Sequence, residues 1–459
     1  MQTKRDQLQA HNFVVGRLRS ALLHGDADAL ETPTRRFSVA AFAGAIVAAL
    51  IVAGFGAYGF FFPGANTAWR EPGTIIVEKE TGTRYLYDRA HEVLRPVLNH
   101  ASARLLVGAD ARIRSVSAKS LRGVRHGLPL GIPNAPDALP ARNRLTAAPW
   151  LVCVTTAAGT APPSVTLAIG QDRGTTATAE PDAAALVADG TDRYLIWNGR
   201  RLRVAGPAAA VALQLDQVTP VRVTAAWLGV WPDGPDLSPP RIPGRGAPGP
   251  TVGGKATRVG QVLQAATGTG PANFWLVLAD GLRPLSTTVA GLVLADPASH
   301  SAYPGGDPGA TVVSAAGVAA APRSTAGLDL GELPPRPPRL IDPAGARNQS
   351  LCARTGFGPA GQDLVWADAG ALAGGAAPPG ADGAPALDRV AIAGGVGVLA
   401  RSDPGPQLSL ITDVGLRFPL SADAVAALGY ADVPALDVPP SLLSLLPVGP
   451  TLDPRAAGA

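Results

Sequence analysis

The sequence runs to 459 residues, enough for two or three domains. Only 16% of residues are charged and the formal net charge is +4, too small and too dispersed for a nucleic-acid footprint. Aromatic residues make up 5%, with no basic run interleaved among them as a stacking platform, so nucleic acid is excluded as a partner. Gly (54) and Pro (45) together exceed a fifth of the chain, which favours short strands, turns and irregular loops over a helical bundle.

The first expected element is a helix from about Gln7 to His24. Thr3 and Asp6 have the spacing of a capping box, and Gly25 stands where a C-cap belongs. Leu8, Val15, Leu18 and Leu22 fall on one face at helical spacing, and His11 shares it. A helix this short gains stability by docking such a stripe on a partner or on a membrane surface. A lone His beside the stripe reads as a packing group rather than a ligand.

Phe37 to Phe62 form an uncharged, proline-free run of 26 residues, closed by Pro63. As a helix it would be about 39 Å long, enough to cross a hydrocarbon core of about 30 Å with some tilt. A cleaved signal peptide has a far shorter apolar region close behind its start. Arg35 and Arg36 abut the run, with Lys4, Arg5, Arg17 and Arg19 behind them. The positive-inside rule therefore places residues 1–36 in the cytosol and residues 63–459 outside it. Ala41, Ala45, Ala49, Ala53 and Ala57 recur every fourth residue, a spacing that lets a second membrane helix approach closely. An alanine-rich run can also produce that spacing by chance.

Beyond the span, similar strings recur. Tyr194 begins YLIWNGRRLRV, Trp275 begins WLVLADGLRPLS, Leu408 begins LSLITDVGLRFPLS, and TIIVEKETGTRYLYD from Thr74 is a looser copy. Each is an apolar run, a Gly-containing turn and a second apolar run, which signals a hairpin. Ser286 and Ser421 then sit as N-caps of short helices. The fold class expected is α+β: an N-terminal amphipathic helix, one transmembrane helix, and four small repeat domains around a central β-rich domain. That centre is placed around 135–260 and in the 333–400 region. Stretches 232–256, 333–345 and 369–386 read as Pro/Gly/Ala-rich linkers or exposed loops, and 439–459 as an extended tail.

The two cysteines, Cys153 and Cys352, both fall on the outer side, where an even pair favours a disulfide closing a loop of roughly 200 residues. Two thiols buried apart are the alternative. No catalytic, cofactor or metal constellation stands out. GPTVGGK, Gly249 to Lys255, matches G-x-x-x-x-G-K, but Ala256 follows where Ser or Thr must hold Mg²⁺. His91, His100, His126 and His300 form no zinc motif, and Asp280 and Asp413 sit in hairpin turns, where Asp steadies its own backbone.

Taken together these features resemble the EccB membrane component of the type VII (ESX) secretion systems of mycobacteria and their relatives. The opening RDQLQAHNFVVGRLRSALLHGD carries the likeness most specifically, through Arg5, Asp6, Gln7, His11, Phe13, Arg17, Leu18, Ala21 and Leu22. Pro33 to Arg36, the W-x-x-P-G-T of Trp69 to Thr74, the cysteine pair and Leu428-Gly-Tyr430 extend it over essentially the whole chain. The resemblance implies a structural subunit of an inner-membrane secretion complex, with sibling subunits that include a membrane-anchored ATPase and with self-association through the exterior. It implies nucleotide hydrolysis only weakly. A membrane-anchored cell-wall-binding module and an extracytoplasmic ATPase are the competing readings.

Overall fold

A computed structural model of the protein describes residues 3–25, 33–61, 67–146, 149–155, 162–170, 175–178, 182–266, 272–329, 331–341, 349–356, 361–370, 372, 375–376 and 387–459. Two helices come first, Lys4–His24 and Pro33–Phe61. Four small sheets and one larger sheet follow.

Each small sheet is the same unit. Three antiparallel strands run in a meander, a helix follows the third, and a fourth strand returns parallel to the first, giving the order third–second–first–fourth. In unit 1 the strands are Thr74–Glu78, Arg84–Asp88, Val93–Val97 and Arg112–Val116, with helix His100–Val107 before the fourth. Unit 2 uses Ala183–Asp189, Asp192–Trp197, Arg200–Arg203 and Val221–Arg222, with helix Pro207–Ala212. Unit 3 uses Val262–Ala266, Asn273–Leu278, Gly281–Leu285 and Thr311–Ser314, with helix Thr287–Ala295. Unit 4 uses Val398–Ser402, Leu408–Ile411, Arg417–Pro419 and Leu436–Val438, with helix Ala422–Leu428. A further short helix follows every fourth strand.

Local chemistry explains the repetition. In unit 2 the two-residue turn has Asn198 at φ 47° and Gly199 at φ 69°, the left-handed pair that matches strand twist. Ser286 and Ser421 cap their helices as the spacing predicts, accepting from the N–H of Val289 and of Ala424. One hairpin differs from its expected place. The strings from Tyr194, Trp275 and Leu408 are second and third strands, whereas the string from Thr74 covers the first and second. Its true counterpart is Arg84 to Val97, whose four-residue turn has no glycine. Glu92 takes the positive φ of 52°, and the Asp88 carboxylate accepts from the N–H groups of Ala90 and His91.

The seven-stranded sheet takes strands from two distant stretches. Its order is Gly375–Ala376, Arg389–Ile392, Ser164–Ile169, Trp150–Thr155, Gln349–Thr355, Gln362–Asp368 and Thr175–Thr178. The centre therefore draws on 150–178 and 349–392, and the strands from Ala183 to Arg222, expected within it, form unit 2 instead. Cys153 and Cys352 stand directly opposite each other on its two middle strands and are joined by a disulfide across 199 residues. One face of this sheet packs on Trp227, Leu228 and Trp231 after unit 2 and on Leu442, Leu443 and Leu446 after unit 4. The Trp227 indole N–H donates to the Val152 carbonyl at 3.0 Å.

The units also pair. Helix His100–Val107 of unit 1 packs on Ala422–Leu428 of unit 4, and Pro207–Ala212 of unit 2 packs on Thr287–Ala295 of unit 3. The chain order is thus unit, central strands, unit, repeated twice, with the cysteine pair at the meeting point of the two halves.

Two expected loose segments are packed. The 232–256 stretch lacks regular structure but buries Leu237, Ile242 and Val252, and in the 333–345 stretch Arg339–Leu340 pairs with Ala183–Ala184. The tail from Pro439 is not extended either. It forms Pro440–Leu443 and Pro454–Gly458, and Leu452 and Ala457 enter a core shared with Ala101 and Leu105 of unit 1. Leu442, Leu443, Leu445 and Leu446 are buried against the central sheet, while Leu452 and Ala457 join the core shared by units 1 and 4. The 369–386 stretch falls largely outside the described residues.

Tyr430 ties unit 4 to the stretch that follows unit 1. Gly429 ends the preceding helix at φ 87°, which turns Tyr430 inward so that its hydroxyl donates to the Pro140 carbonyl at 2.7 Å. Burial pushes the phenol pKa up to about 12, opposed in part by the Arg104 charge. The folded chain keeps a proton that an unfolded tyrosine releases near pH 10, so this contribution is full below about pH 10 and is lost toward pH 12. Tyr430→Phe should cost about 1–3 kcal/mol by orphaning the carbonyl. It should also flatten the alkaline loss of stability, both read from denaturant melts at neutral and alkaline pH. Replacing Cys153 and Cys352 with Ala should cost up to about 5 kcal/mol, as the loop-entropy account gives for so long a loop, with the denaturation midpoint as the measurement.

Candidate functional site

The candidate site is a set of surfaces at the N-terminal end. Thr3 caps the first helix through Asp6, whose carboxylate accepts from the Thr3 N–H at 3.1 Å and from its hydroxyl at 2.6 Å. Gly25 closes the helix at φ 69° with its N–H on the Ala21 carbonyl. At about 100° per residue, Leu8, His11, Val15, Leu18 and Leu22 lie within an arc of about 80°. All five are exposed, Leu22 at 82%. The sequence reading brought these together correctly as one face but left out two residues. Val14, 54% exposed, widens the stripe, and the spacing of four to Leu18 was the available signal. Phe13, 66% exposed, lies on the opposite side with the Arg17 guanidinium 5.9 Å from its ring centre. Two faces of this helix therefore carry apolar groups that the rest of the described chain does not cover.

The second helix starts at Pro33, whose fixed φ and missing N–H suit a first turn. The helix thus takes in the Pro-Thr-Arg-Arg string, and Phe62 of the expected span lies outside the described residues. Arg36 to Phe60 has a mean hydropathy of 2.4 over its most apolar window, with none of that window buried against the protein. This is the one helix among the described residues long and apolar enough to cross a membrane. Ala41, Ala45, Ala49, Ala53 and Ala57 are all exposed on it. Each step of four advances about 40°, so the alanines wind along an i±4 ridge inclined about 26° to the axis. A neighbouring helix crossing at an angle would meet them in turn.

The phosphate-loop lookalike is a hairpin turn. Val252 and Lys255 bond each other's backbone at 3.0 Å, and the Thr257 hydroxyl donates to the Pro250 carbonyl at 2.5 Å. Val252 is buried, and strand Val262–Ala266 follows rather than a helix. Backbone N–H groups converging on a helix N-terminus, the feature that cradles phosphate, are not built here. Asp280 does steady its turn, but by reaching outward. It accepts from the Ser324 hydroxyl at 2.5 Å and the Thr325 N–H at 2.9 Å, which holds its carboxyl below the usual range. Asp413 accepts from the Gly395 N–H at 2.6 Å. His91 pairs with Asp88 at 2.8 Å, and His126 meets the Tyr85 ring edge-on at 5.4 Å. Among the described residues no three His, Cys, Asp or Glu converge as a metal site.

A family model described as "Type VII secretion system ESX-1, transport TM domain B" matches residues 1–459. The chain belongs to the EccB family. It is 31% identical over 488 residues to the ESX-3 secretion system ATPase EccB3 of Mycolicibacterium smegmatis, covering 98% of this chain and 89% of the relative. It is 29% identical over 496 residues to the ESX-5 secretion system ATPase EccB5 of Mycobacterium tuberculosis, covering 98% and 91%. Among solved structures it resembles a chain of an intact ESX-5 inner membrane complex, with TM-score 0.68, 26% identity and coverage of 100% and 95%. It also resembles the EccB3 dimer from the ESX-3 core complex, with TM-score 0.65, 29% identity and coverage of 84% and 99%. The EccB fold is thus the mixed α+β arrangement described above.

Because Lys255 sits in a hairpin turn rather than over a helix N-terminus, Lys255→Ala should leave any ATP turnover of the purified chain unchanged. Phosphate release at saturating ATP measures this, and a large drop would place nucleotide at the turn.

Proposed function

We propose that this chain is a structural core subunit of a type VII secretion complex in the inner membrane, holding the membrane assembly to a multimer outside the cytoplasm. The carrying observation is that likeness to EccB proteins runs through the whole chain, across the amphipathic helix, the span and the four-unit body alike. Solved relatives occur in an ESX-5 inner membrane complex and as an EccB3 dimer. The partners of this chain are accordingly sibling membrane subunits, a membrane-anchored ATPase among them, and further copies of itself.

The N-terminal helix lies in the cytosol and the body outside it, a topology supported by Arg35 and Arg36 before the span. Leu8, His11, Val15, Leu18 and Leu22 dock on sibling subunits, and the small-residue ridge from Ala41 to Ala57 packs against a neighbouring span. The role is assembly rather than hydrolysis, although relatives carry ATPase in their names. The hairpin at Gly249 to Lys255 supports that reading, as do the local backbone duties of Asp280 and Asp413.

Tagged protein purified from its native membrane in mild detergent should run as a very large complex containing a membrane-anchored ATPase. Recovery as a lone chain would reject the proposal. Leu18→Glu with Leu22→Glu would bury carboxylates in the docked face, so co-recovery of sibling subunits should fall tenfold or more, each 1.4 kcal/mol being about tenfold. The melting of the body should stay within about 0.5 kcal/mol, as for other exposed substitutions.

A further inference from the structure

Charge is distributed unevenly along the body. Residues 67–130, which build unit 1, hold 11 Lys or Arg against six Asp or Glu, a net +5. Residues 131–459 hold 22 against 25, a net −3. The carboxylates of unit 1 are largely engaged locally. Glu71 faces Arg112 at 3.3 Å and Arg114 at 3.7 Å, Asp88 holds His91, and Glu80 accepts from the Ala118 N–H at 2.8 Å.

The positive excess has a definite place. Residues 118–129 wrap one face and one edge of the unit 1 sheet: Leu121 and Val124 pack on Trp69, Ile76, Tyr85 and Leu94, and Arg125–His126 pairs with Val93–Leu94 as a fifth strand. The outer side of this cover presents Lys119, Arg122, Arg125 and His126, all exposed. Arg125 donates to the His91 carbonyl at 3.1 Å, which leaves its charge unneutralised. Among the described residues neither Lys119, Arg122 nor Arg125 meets a carboxylate within ion-pair distance. Leu128, 78% exposed, stands beside them.

The same cover lies next to the point where the chain enters from the span. Trp69 belongs to the cluster beneath it, and only residues 62–66 separate Phe61 from Thr67. Fully extended, that connection reaches about 22 Å. A connection of that length lets the cover reach the bilayer surface, where the potential of anionic lipid acts within a Debye length of about 8 Å. An exposed leucine among cations suits the same boundary, since its side chain can enter the acyl region while the charges stay among the headgroups.

We infer that residues 118–129 form a lipid-binding surface that lays unit 1 on the membrane through anionic phospholipid headgroups. The inference rests on the reading of Pro33–Phe61 as a membrane span. Hydrogen exchange of the full chain in nanodiscs tests it, comparing phosphatidylcholine alone with a mixture containing phosphatidylglycerol. Amides of 118–129 should exchange several-fold more slowly in the anionic discs, and high salt should abolish the difference. Lys119→Gln with Arg122→Gln and Arg125→Gln should also abolish it, while the central strands of the same variant keep native protection. Equal exchange in the two discs would overturn the inference and leave the span reading intact. Protection that follows protein concentration instead of lipid charge would overturn it in favour of a second copy of the chain. Failure of the chain to co-elute with discs would remove the span reading, and this inference with it.

Discussion

The pairing of Cys153 with Cys352 at the middle of the seven-stranded sheet is the constraint on which the body depends. A sheet built from strands some 200 residues apart carries a large loop-closure cost, and the covalent cross-link removes much of that cost from the unfolded side of the balance. Everything outside the sheet hangs from it. Units 2 and 4 press their trailing short helices onto one face, bringing Trp227, Trp231, Leu442 and Leu446 into a common core. Units 1 and 3 then attach through unit–unit packing, helix against helix. Exchanging unit 1 with unit 3 and unit 2 with unit 4 preserves both kinds of contact. This is the organisation of a duplicated half meeting at its cysteines.

The small units explain the composition. Each buries a thin core between a sheet of four or five strands and one or two short helices, so strands of two to seven residues and tight turns dominate. Glycine is required at some of those turns by geometry. A Cβ on Gly281 would fall 2.5 Å from the Pro322 carbonyl oxygen, so the Asp-Gly turn of unit 3 permits no other residue. Few charges are needed because most polar backbone groups are satisfied within sheets and caps. The membrane part follows the opposite rule: its helix satisfies its own backbone and leaves its side chains, together with the stripe of the first helix, for other molecules to cover.

The local signals were legible in the sequence where one residue type carried one physical duty. The Thr3 and Asp6 cap, the terminating Gly25, the uncharged run from Phe37, the helix-capping Ser286 and Ser421 and the hairpins at Tyr194, Trp275 and Leu408 all read directly. The unit 1 hairpin was misplaced because Glu92, not glycine, supplies its positive φ. The segment after Pro439 was misread because Leu442, Leu443, Leu445 and Leu446 are buried against the central sheet and Leu452 in the core shared by units 1 and 4, surfaces that no local pattern announces. On the first helix, Val14 lies at the edge of the leucine stripe and Phe13 on the opposite side, so the face of Leu8, Val15, Leu18 and Leu22 does not include them.

The sequence by itself determined the elements whose cause is local or whose solvent is unusual: a capped amphipathic helix, an apolar helix of spanning length, and a recurring hairpin-plus-helix unit. Propensity, capping and hydrophobic run length act within a few residues and need no partner to be read. Only the tertiary structure decided how those units are arranged. It placed the strands from Ala183 in unit 2 instead of the central sheet, paired unit 1 with unit 4 helix against helix, and set the two cysteines face to face. Those choices depend on which apolar faces bury each other over hundreds of residues, and no local pattern encodes a partner that far away.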